Sequence, residues 1–283
     1  MPVLPTTPFT PDGPDVTRVG LGGEGVLRTF GRETQAQSVI QEALAQSITY
    51  FDTAPAYSGS QAYLGSIWAE QPEARKKIFH TSKSAGRTFS QAMQDLENSL
   101  STLHTDSLDL WQIHDVRTTE DLRRLEARDG ALNAFIQARE EGVVKRIGVT
   151  GHHDPRILET CVRNWPLDSV LLPANPAETV LGGFLDAVVQ AARDRNMAVI
   201  GMKCLGGRNY VQEHNGLTAE TLIRYALFGT GMDLIIVGCS TPEEVQDLTQ
   251  AARQGPLPED ARTWLESMFA PQAQRLAFYR GGG

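Results

Sequence analysis

Three strand-like segments of this chain each end on a side chain that can carry out acid–base or electrostatic chemistry. These terminal residues are Asp52, Lys83 and His114. Tyr57 lies five residues beyond Asp52, in a segment that Pro55 opens as a loop. Taken singly, each is more simply a packed, paired or turn-forming side chain. Because three successive strands present them, the four residues together predict a catalytic cluster.

The composition is that of a globular protein that forms one large domain. The chain has 283 residues, of which 41% are hydrophobic and 21% charged, so residues 1–283 can share one substantial core. The formal net charge of -8 argues against nucleic acid or an anionic membrane as a partner. No apolar run is long enough to span a bilayer, and the amino terminus lacks a secretory pattern.

The cysteines predict neither a disulfide framework nor a metal centre. Cys161, Cys204 and Cys239 are far apart and odd in number, and they form no CxxC motif. We therefore expect a cytoplasmic protein without a metal site.

Strand and helix signals alternate along the chain. The predicted strands are residues 16–21, 49–52, 77–83, 108–114, 144–150, 169–172, 197–204 and 233–237, and the predicted helices include 33–46, 62–70, 90–103, 182–196, 218–228, 241–252 and 259–269. Eight such units predict an α/β fold, a (β/α)8 TIM barrel with an appended C-terminal helix. An irregular arm (residues 1–14) and a tail (residues 271–283) flank this single domain.

The predicted barrel determines where the chemistry lies. Active sites of such barrels are built at the carboxyl ends of the strands, where Asp52, Lys83 and His114 fall. Side chains alternate along a strand, so Tyr50 shares a face with Asp52. The cluster is thus expected at the rim of the barrel.

Four motifs in this order resemble the aldo/keto reductase family over nearly the whole chain. They lie at residues 51–57, 81–83, 110–114 and 147–150. The resemblance implies a catalytic tetrad of Asp52, Tyr57, Lys83 and His114 in an oxidoreductase that reduces an aldehyde or ketone with NAD(P)H.

The resemblance also implies a role for each member of the tetrad. Tyr57 would donate the proton, and Lys83 would lower the pKa of that phenol. Asp52 would keep Lys83 charged and oriented, and His114 would hold the carbonyl oxygen. The alternative interpretations are a purely structural ion pair for Lys83 and Asp52, and a buried, hydrogen-bonded histidine for His114.

The implied cofactor contacts depart from the family pattern in several places. By resemblance they comprise Gly22, Gly23, Asp52, Thr150, Met202, Lys203, Leu205, Gly206, Arg208, Gly238, Ser240, Thr241, Glu244 and Asp247. Gly151 stands where relatives carry asparagine, Leu171 where they carry glutamine, and Met202 where an aromatic ring stacks on the nicotinamide. His152 either replaces the missing amide donor or is an exposed loop residue.

The expected cofactor is NADP(H) by family default, and NAD(H) is the alternative. The positions near Gly238 and Glu244 that usually bind the 2′-phosphate are not basic, and Glu244 would repel a phosphate. Arg208 could compensate from the neighbouring loop. The chain lacks the clustered cysteines of relatives that carry an iron–sulfur segment.

Two further functions remain open at this point. One is a nucleotide-binding regulatory subunit, and the other is a lyase or isomerase of a sugar-like substrate that loses or recycles its cofactor. The expected partner is a small carbonyl compound, and the chain is expected to be a monomer or a small homo-oligomer. The short segment after Leu257 predicts an open substrate site.

Overall fold

A computed structural model describes residues 3–281 and contains a closed barrel of eight parallel strands. The strands, including a short pair that precedes the barrel, are β1 Thr6–Pro8, β2 Asp15–Thr17, β3 Val19–Gly25, β4 Tyr50–Asp52, β5 Phe79–Ser84, β6 Leu110–Ile113, β7 Ile147–Thr150, β8 Ser169–Pro173, β9 Ala198–Met202 and β10 Leu234–Cys239. Strands β3 to β10 follow each other in chain order, and β10 closes the barrel by pairing with β3. The predicted (β/α)8 fold is confirmed.

Helices surround the barrel. They are α1 Glu33–Ala45, α2 Ser60–Glu70, α3 Pro72–Arg75, α4 Phe89–Thr102, α5 Thr119–Leu125, α6 Ala131–Glu140, α7 Pro155–Asn164, α8 Pro176–Leu181, α9 Val189–Arg193, α10 Ala219–Gly229, α11 Pro242–Gln254, α12 Glu259–Phe269 and α13 Ala273–Leu276. The bounds of α12 match the predicted appended helix. Within the described range, no helix has the length and apolarity needed to cross a membrane.

Two apolar layers hold the barrel together. Outward-facing strand residues such as Phe51 and Trp111 pack against the helices, and a second cluster fills the barrel interior. The three cysteines, all within residues 3–281, are buried free thiols. Tyr50 lies in the interior cluster, so the face predicted for Tyr50 and Asp52 is the inner one.

The amino-terminal arm is more ordered than predicted. Strands β1 and β2 form an antiparallel pair, which places Phe9 against Phe79 with ring centroids 4.5 Å apart, among the interior side chains. The predicted strand over residues 16–21 is divided at Arg18. The guanidinium of Arg18 there donates hydrogen bonds to the backbone oxygens of Asp233, Leu227 and Met232.

The region from residue 174 to residue 196 differs from the single helix predicted over 182–196. Asn175 caps an additional helix, α8, with Pro176 at its first position, and Gly182 and Gly183 interrupt the chain with positive φ. A π-helical turn, Phe184–Val188, then leads into α9.

The segment predicted as a tail, residues 271–283, also contains regular structure. It holds α13, and Ala273, Ala277 and Tyr279 are buried. Gly281 donates a backbone hydrogen bond to the carbonyl of His153. The last two residues of the predicted tail, Gly282 and Gly283, lie outside the described residues.

Candidate active site

A buried ion pair lies at the carboxyl end of β4 and β5. The Lys83 ammonium donates to Asp52 Oδ2 at 2.5 Å, and the two side chains are 0% and 1% exposed. The Thr81 hydroxyl donates to Asp52 Oδ1 at 2.9 Å, and Lys83 also donates to the carbonyl of Thr53 at 3.0 Å. A buried pair of this kind is favourable only when the remaining hydrogen bonds are made, as they are here.

Tyr57 and His114 lie beside this pair. The Tyr57 hydroxyl is 3.5 Å from His114 Nε2, and the two rings meet edge to face. Lys83 Nζ is 4.7 Å from the centroid of the Tyr57 ring. Gly23 makes this possible, because a Cβ there would stand 2.8 Å from the Tyr57 ring. The structure thus brings together the four residues of the predicted tetrad.

The pKa of Tyr57 differs from the sequence-based expectation. Burial raises this pKa well above its usual value, Asp52 and Glu24 raise it further, and Arg28 opposes them. Lys83 was expected to lower it, but Asp52 neutralises the ammonium at 2.5 Å. Tyr57 is therefore a protonated phenol at neutral pH.

His114 is neutral at the same pH. Burial, and after it the charge of Lys83, lowers the pKa of His114 to about 3. Burial also lowers the pKa of Lys83, while the charge of Asp52 raises it. The site therefore offers a neutral hydroxyl and a neutral imidazole beside a compensated ion pair.

Charged side chains surround the cluster on its open side. Arg28 pairs with Glu24 at 2.7 Å, and its guanidinium lies 5.2 Å from the centroid of the Tyr57 ring. Asp115, which follows His114, pairs with Arg117. The opening beside Tyr57, which these charged side chains line and which is called the mouth below, is therefore polar.

Some of the residues predicted to contact the nicotinamide already form hydrogen bonds within the protein. Thr150 Oγ1 accepts the backbone N–H of Asp115 at 2.8 Å. His152 Nε2 lies 3.2 Å from Asp115 Oδ1, and its Nδ1 lies 3.3 Å from the carbonyl oxygen of Tyr279. His152 is half-buried rather than exposed, and both of its nitrogens face acceptors of the protein. Met202 is half-buried at the end of β9, against the interior cluster.

The predicted phosphate loops meet at the start of α11. Arg208 forms an ion pair with Glu244, whose other carboxylate oxygen accepts the Ser240 N–H at 2.7 Å. Thr241 Oγ1 accepts the Glu244 N–H and so caps the helix that was predicted over residues 241–252. A carboxylate of the chain itself thus lies at the amino end of this helix, where anions are favoured.

The remaining predicted contacts in these loops differ in accessibility. Gly238 packs on Glu24, because a Cβ there would stand 2.6 Å from that side chain. Gly206 packs in the same way on Tyr210, and Leu205 is half-buried. Asp247 is exposed on α11.

The C-terminal segment forms part of the site, which the sequence reasoning missed. The Tyr279 hydroxyl is 2.8 Å from both Asn175 Nδ2 and Glu178 Oε1, and Arg280 pairs with Glu178. Through these contacts and that with His152, the segment spans the loops after β7 and β8. The expectation of an open site is therefore wrong on this side. The only local signal was the aromatic and basic run at residues 278–280.

Comparison with known proteins gives a family for this barrel. A sequence model of the aldo/keto reductase family matches residues 18–210. The chain is 27% identical over 217 residues to the aldo-keto reductase YhdN of Bacillus subtilis (strain 168), covering 71% of this chain and 62% of YhdN. It is 33% identical over 130 residues to an aldo-keto reductase of Mycolicibacterium paratuberculosis, covering 45% of this chain and 43% of that protein. The matched parts are thus less than two thirds of these relatives' length.

A solved structure supports the same architecture. The aldo-keto reductase AKR11C1 from Bacillus halodurans aligns with a TM-score of 0.75 and 18% identity, over 94% of this chain and 96% of that chain. At this level of identity the likeness concerns the fold.

Proposed function

Because this chain belongs to the aldo/keto reductase family, we propose that it is an NAD(P)H-dependent oxidoreductase that reduces an aldehyde or ketone to an alcohol. One observation carries the proposal. The Tyr57 hydroxyl and His114 Nε2 lie 3.5 Å apart, and the ammonium of the buried Lys83–Asp52 pair lies 4.7 Å from the centroid of the Tyr57 ring. A carbonyl oxygen placed between the hydroxyl and the imidazole would meet two hydrogen-bonding groups.

Tyr57 is the proposed proton donor. Its raised pKa keeps the proton on the phenol until negative charge develops on the carbonyl oxygen. That oxygen then takes the proton, and the phenolate left behind lies with its ring centroid 4.7 Å from the Lys83 ammonium. Asp52 holds the ammonium in place and charged, while neutral His114 orients the carbonyl oxygen. A bound reduced nicotinamide supplies the hydride.

The residues of the mouth fit such a dinucleotide. Gly207 has open space in place of a side chain, and Arg208 provides a cation beside the amino end of α11. We assign the nicotinamide end to Gly22, Gly23, Asp52, Thr150 and Met202. The phosphates and adenosine are assigned to Leu205, Gly206, Arg208, Gly238, Ser240, Thr241, Glu244 and Asp247, and Lys203, between Met202 and Leu205, is a further cofactor contact.

Glu244 decides the nucleotide in this proposal. Its carboxylate accepts the hydrogen bond of the Ser240 N–H and forms an ion pair with Arg208. Arg208 is the cation of the neighbouring loop that could otherwise bind a 2′-phosphate. A phosphate placed there would meet like charge, whereas a ribose hydroxyl can donate to a carboxylate. NADH is therefore expected to bind at least as well as NADPH, although NADPH is the family default.

The test is titration of the purified protein with NADH and with NADPH, followed by the quenching of tryptophan fluorescence. Binding of either nucleotide, together with its oxidation on adding a simple aldehyde, supports the proposal. Binding without turnover of any aldehyde or ketone would instead favour a regulatory nucleotide-binding protein. Binding of neither nucleotide at millimolar concentration would remove hydride transfer from consideration.

A further inference from the structure

The Arg87 guanidinium connects two of the loops that follow the site residues. It lies between β5 and α4, and its side chain is 22% exposed. Nη1 donates to the carbonyl of His114 at 3.0 Å, and Nη2 donates to the carbonyl of Asp115 at 2.8 Å. Nη1 also donates to the carbonyl of Ala85 at 3.3 Å, and Nε donates to Asp121 Oδ1 at 2.8 Å. One side chain thus joins the loop after β5, the turn after β6 and the start of α5.

The turn after β6 has a backbone conformation that depends on such contacts. Asp115 has a φ of 56°, in the left-handed region that residues other than glycine seldom adopt. This conformation persists only where the surrounding structure holds it. Here Arg87 binds the carbonyls of His114 and Asp115, and Thr150 Oγ1 accepts the N–H of Asp115 at 2.8 Å. The polar backbone groups on both sides of the left-handed residue are therefore held by side chains.

The direction of the His114 ring depends on this turn. Within residues 3–281, the hydrogen-bonding contact of the ring is the Tyr57 hydroxyl, at 3.5 Å from Nε2, and Nδ1 makes no hydrogen bond. The ring is therefore placed by the backbone that carries it and by packing. A displacement of about 1 Å in an active site can cost roughly 10²-fold in rate.

A purely structural role of Arg87 in α5 is the alternative. Asp121 accepts the backbone N–H of Thr118 at the start of that helix, so its ion pair with Arg87 could serve the helix alone. The two hydrogen bonds to successive carbonyls serve no helix. They require the planar fork of an arginine, which an ammonium cannot replace.

We propose that Arg87 is a positioning residue, which holds the turn after β6 so that His114 Nε2 meets the carbonyl oxygen of the substrate. This inference rests on the proposed reductase function and adds a residue outside the tetrad. Arg87 acts through the backbone of His114 and touches neither substrate nor nucleotide. Its loss should therefore slow the reaction only while His114 is present.

A double-variant cycle with His114 tests this dependence. kcat and KM for a simple aldehyde, and nucleotide Kd, are measured for the wild type, Arg87→Met, His114→Ala and the double variant. Arg87→Met should lower kcat by about 10–100-fold and leave nucleotide Kd within about threefold. In the His114→Ala background, Arg87→Met should lower kcat by less than about threefold, because the positioned ring is absent.

Two further variants complete the design. Arg87→Lys keeps the charge beside Asp121 but cannot bind both carbonyls, so its kcat should lie between those of the wild type and Arg87→Met. Arg124→Met is the matched control, because Arg124 donates its two hydrogen bonds to the carboxylate of Asp129, and kcat should not change. Circular dichroism establishes that each variant is folded, and Arg87→Lys replaces Arg87→Met in the cycle if the latter does not fold.

The inference is overturned if folded Arg87→Met keeps kcat within about twofold of the wild type. It is also overturned if Arg87→Met lowers kcat by the same factor with and without His114, or weakens only nucleotide binding. Each of these results leaves the activity of the wild-type enzyme, and so the reductase proposal, intact. Failure of the wild-type enzyme with every carbonyl compound and both nucleotides would refute the reductase function, and this inference with it, before any variant is made.

Discussion

Breaking the Asp52–Lys83 pair from one side should destabilise the protein more than removing both charges. Both side chains are almost completely buried, and the pair is closed by hydrogen bonds from Thr81 and to Thr53. Asp52→Leu leaves the Lys83 ammonium buried without a counter-charge, which costs about 3–5 kcal/mol. For a chain of this size that corresponds to a fall in Tm of roughly 6–10 °C.

The double variant Asp52→Leu/Lys83→Met is the matched control. It buries two apolar side chains in place of the two charges, and it should recover about 1–4 kcal/mol of the loss. Thermal unfolding followed by circular dichroism gives the three Tm values, and Lys83→Met alone completes the cycle. If Asp52→Leu lowers Tm by no more than the double variant does, the pair is not a buried, mutually dependent unit, and this reasoning is refuted.

Three other predictions concern ionisable side chains. Burial, and after it Arg75, lowers the pKa of His80 well below 6.5, so the unfolded chain binds a proton that the folded chain does not. Stability should therefore fall as pH drops below about 6.5, and His80→Leu should make the profile of Tm against pH less steep, while His114, whose pKa burial also lowers, still contributes. Arg280→Met leaves the buried Glu178 without a cation, with the Tyr279 hydroxyl as its remaining partner, and should lower Tm by roughly 6 °C, about 3 kcal/mol, whereas an unchanged Tm would show that the C-terminal segment is not anchored there. Glu244→Gln should strengthen NADPH binding relative to NADH, so that the ratio of the NADPH Kd to the NADH Kd falls by roughly 5–10-fold in fluorescence titrations. An unchanged ratio would place the 2′ position of the ribose elsewhere.

The repeating pattern of the chain predicted the barrel because each barrel strand, and most of the longer helices, carries its own local signal. The helix α12, Glu259–Phe269, was predicted with its observed bounds. The helix α8 was missed although Asn175 and Pro176 are a recognisable start, since its six residues are too few for apolar periodicity. The pair β1 and β2 was missed because three-residue strands carry no alternation.

The site residues that end a barrel strand could be predicted from the sequence. The contacts between segments that are distant in the chain could not. Asp52, Lys83 and His114 follow from the rule that barrel strands present chemistry at their carboxyl ends. The contacts of Tyr279 with Asn175 and Glu178 join residues about one hundred positions apart, and no local sequence pattern predicts such contacts. The direction of the Tyr57 pKa shift also depended on geometry, because burial outweighs a lysine that Asp52 already neutralises.

The role of Tyr57 is tested most directly by Tyr57→Phe, which removes the phenolic proton and keeps the ring beside Lys83 and Gly23. With the nucleotide that binds best, nucleotide Kd should stay within about twofold, whereas kcat for a simple aldehyde should fall by about 10²–10⁴-fold. Circular dichroism establishes that the variant is folded. If folded Tyr57→Phe retains more than about a tenth of the wild-type kcat, Tyr57 is not the proton donor and the proposed mechanism is contradicted.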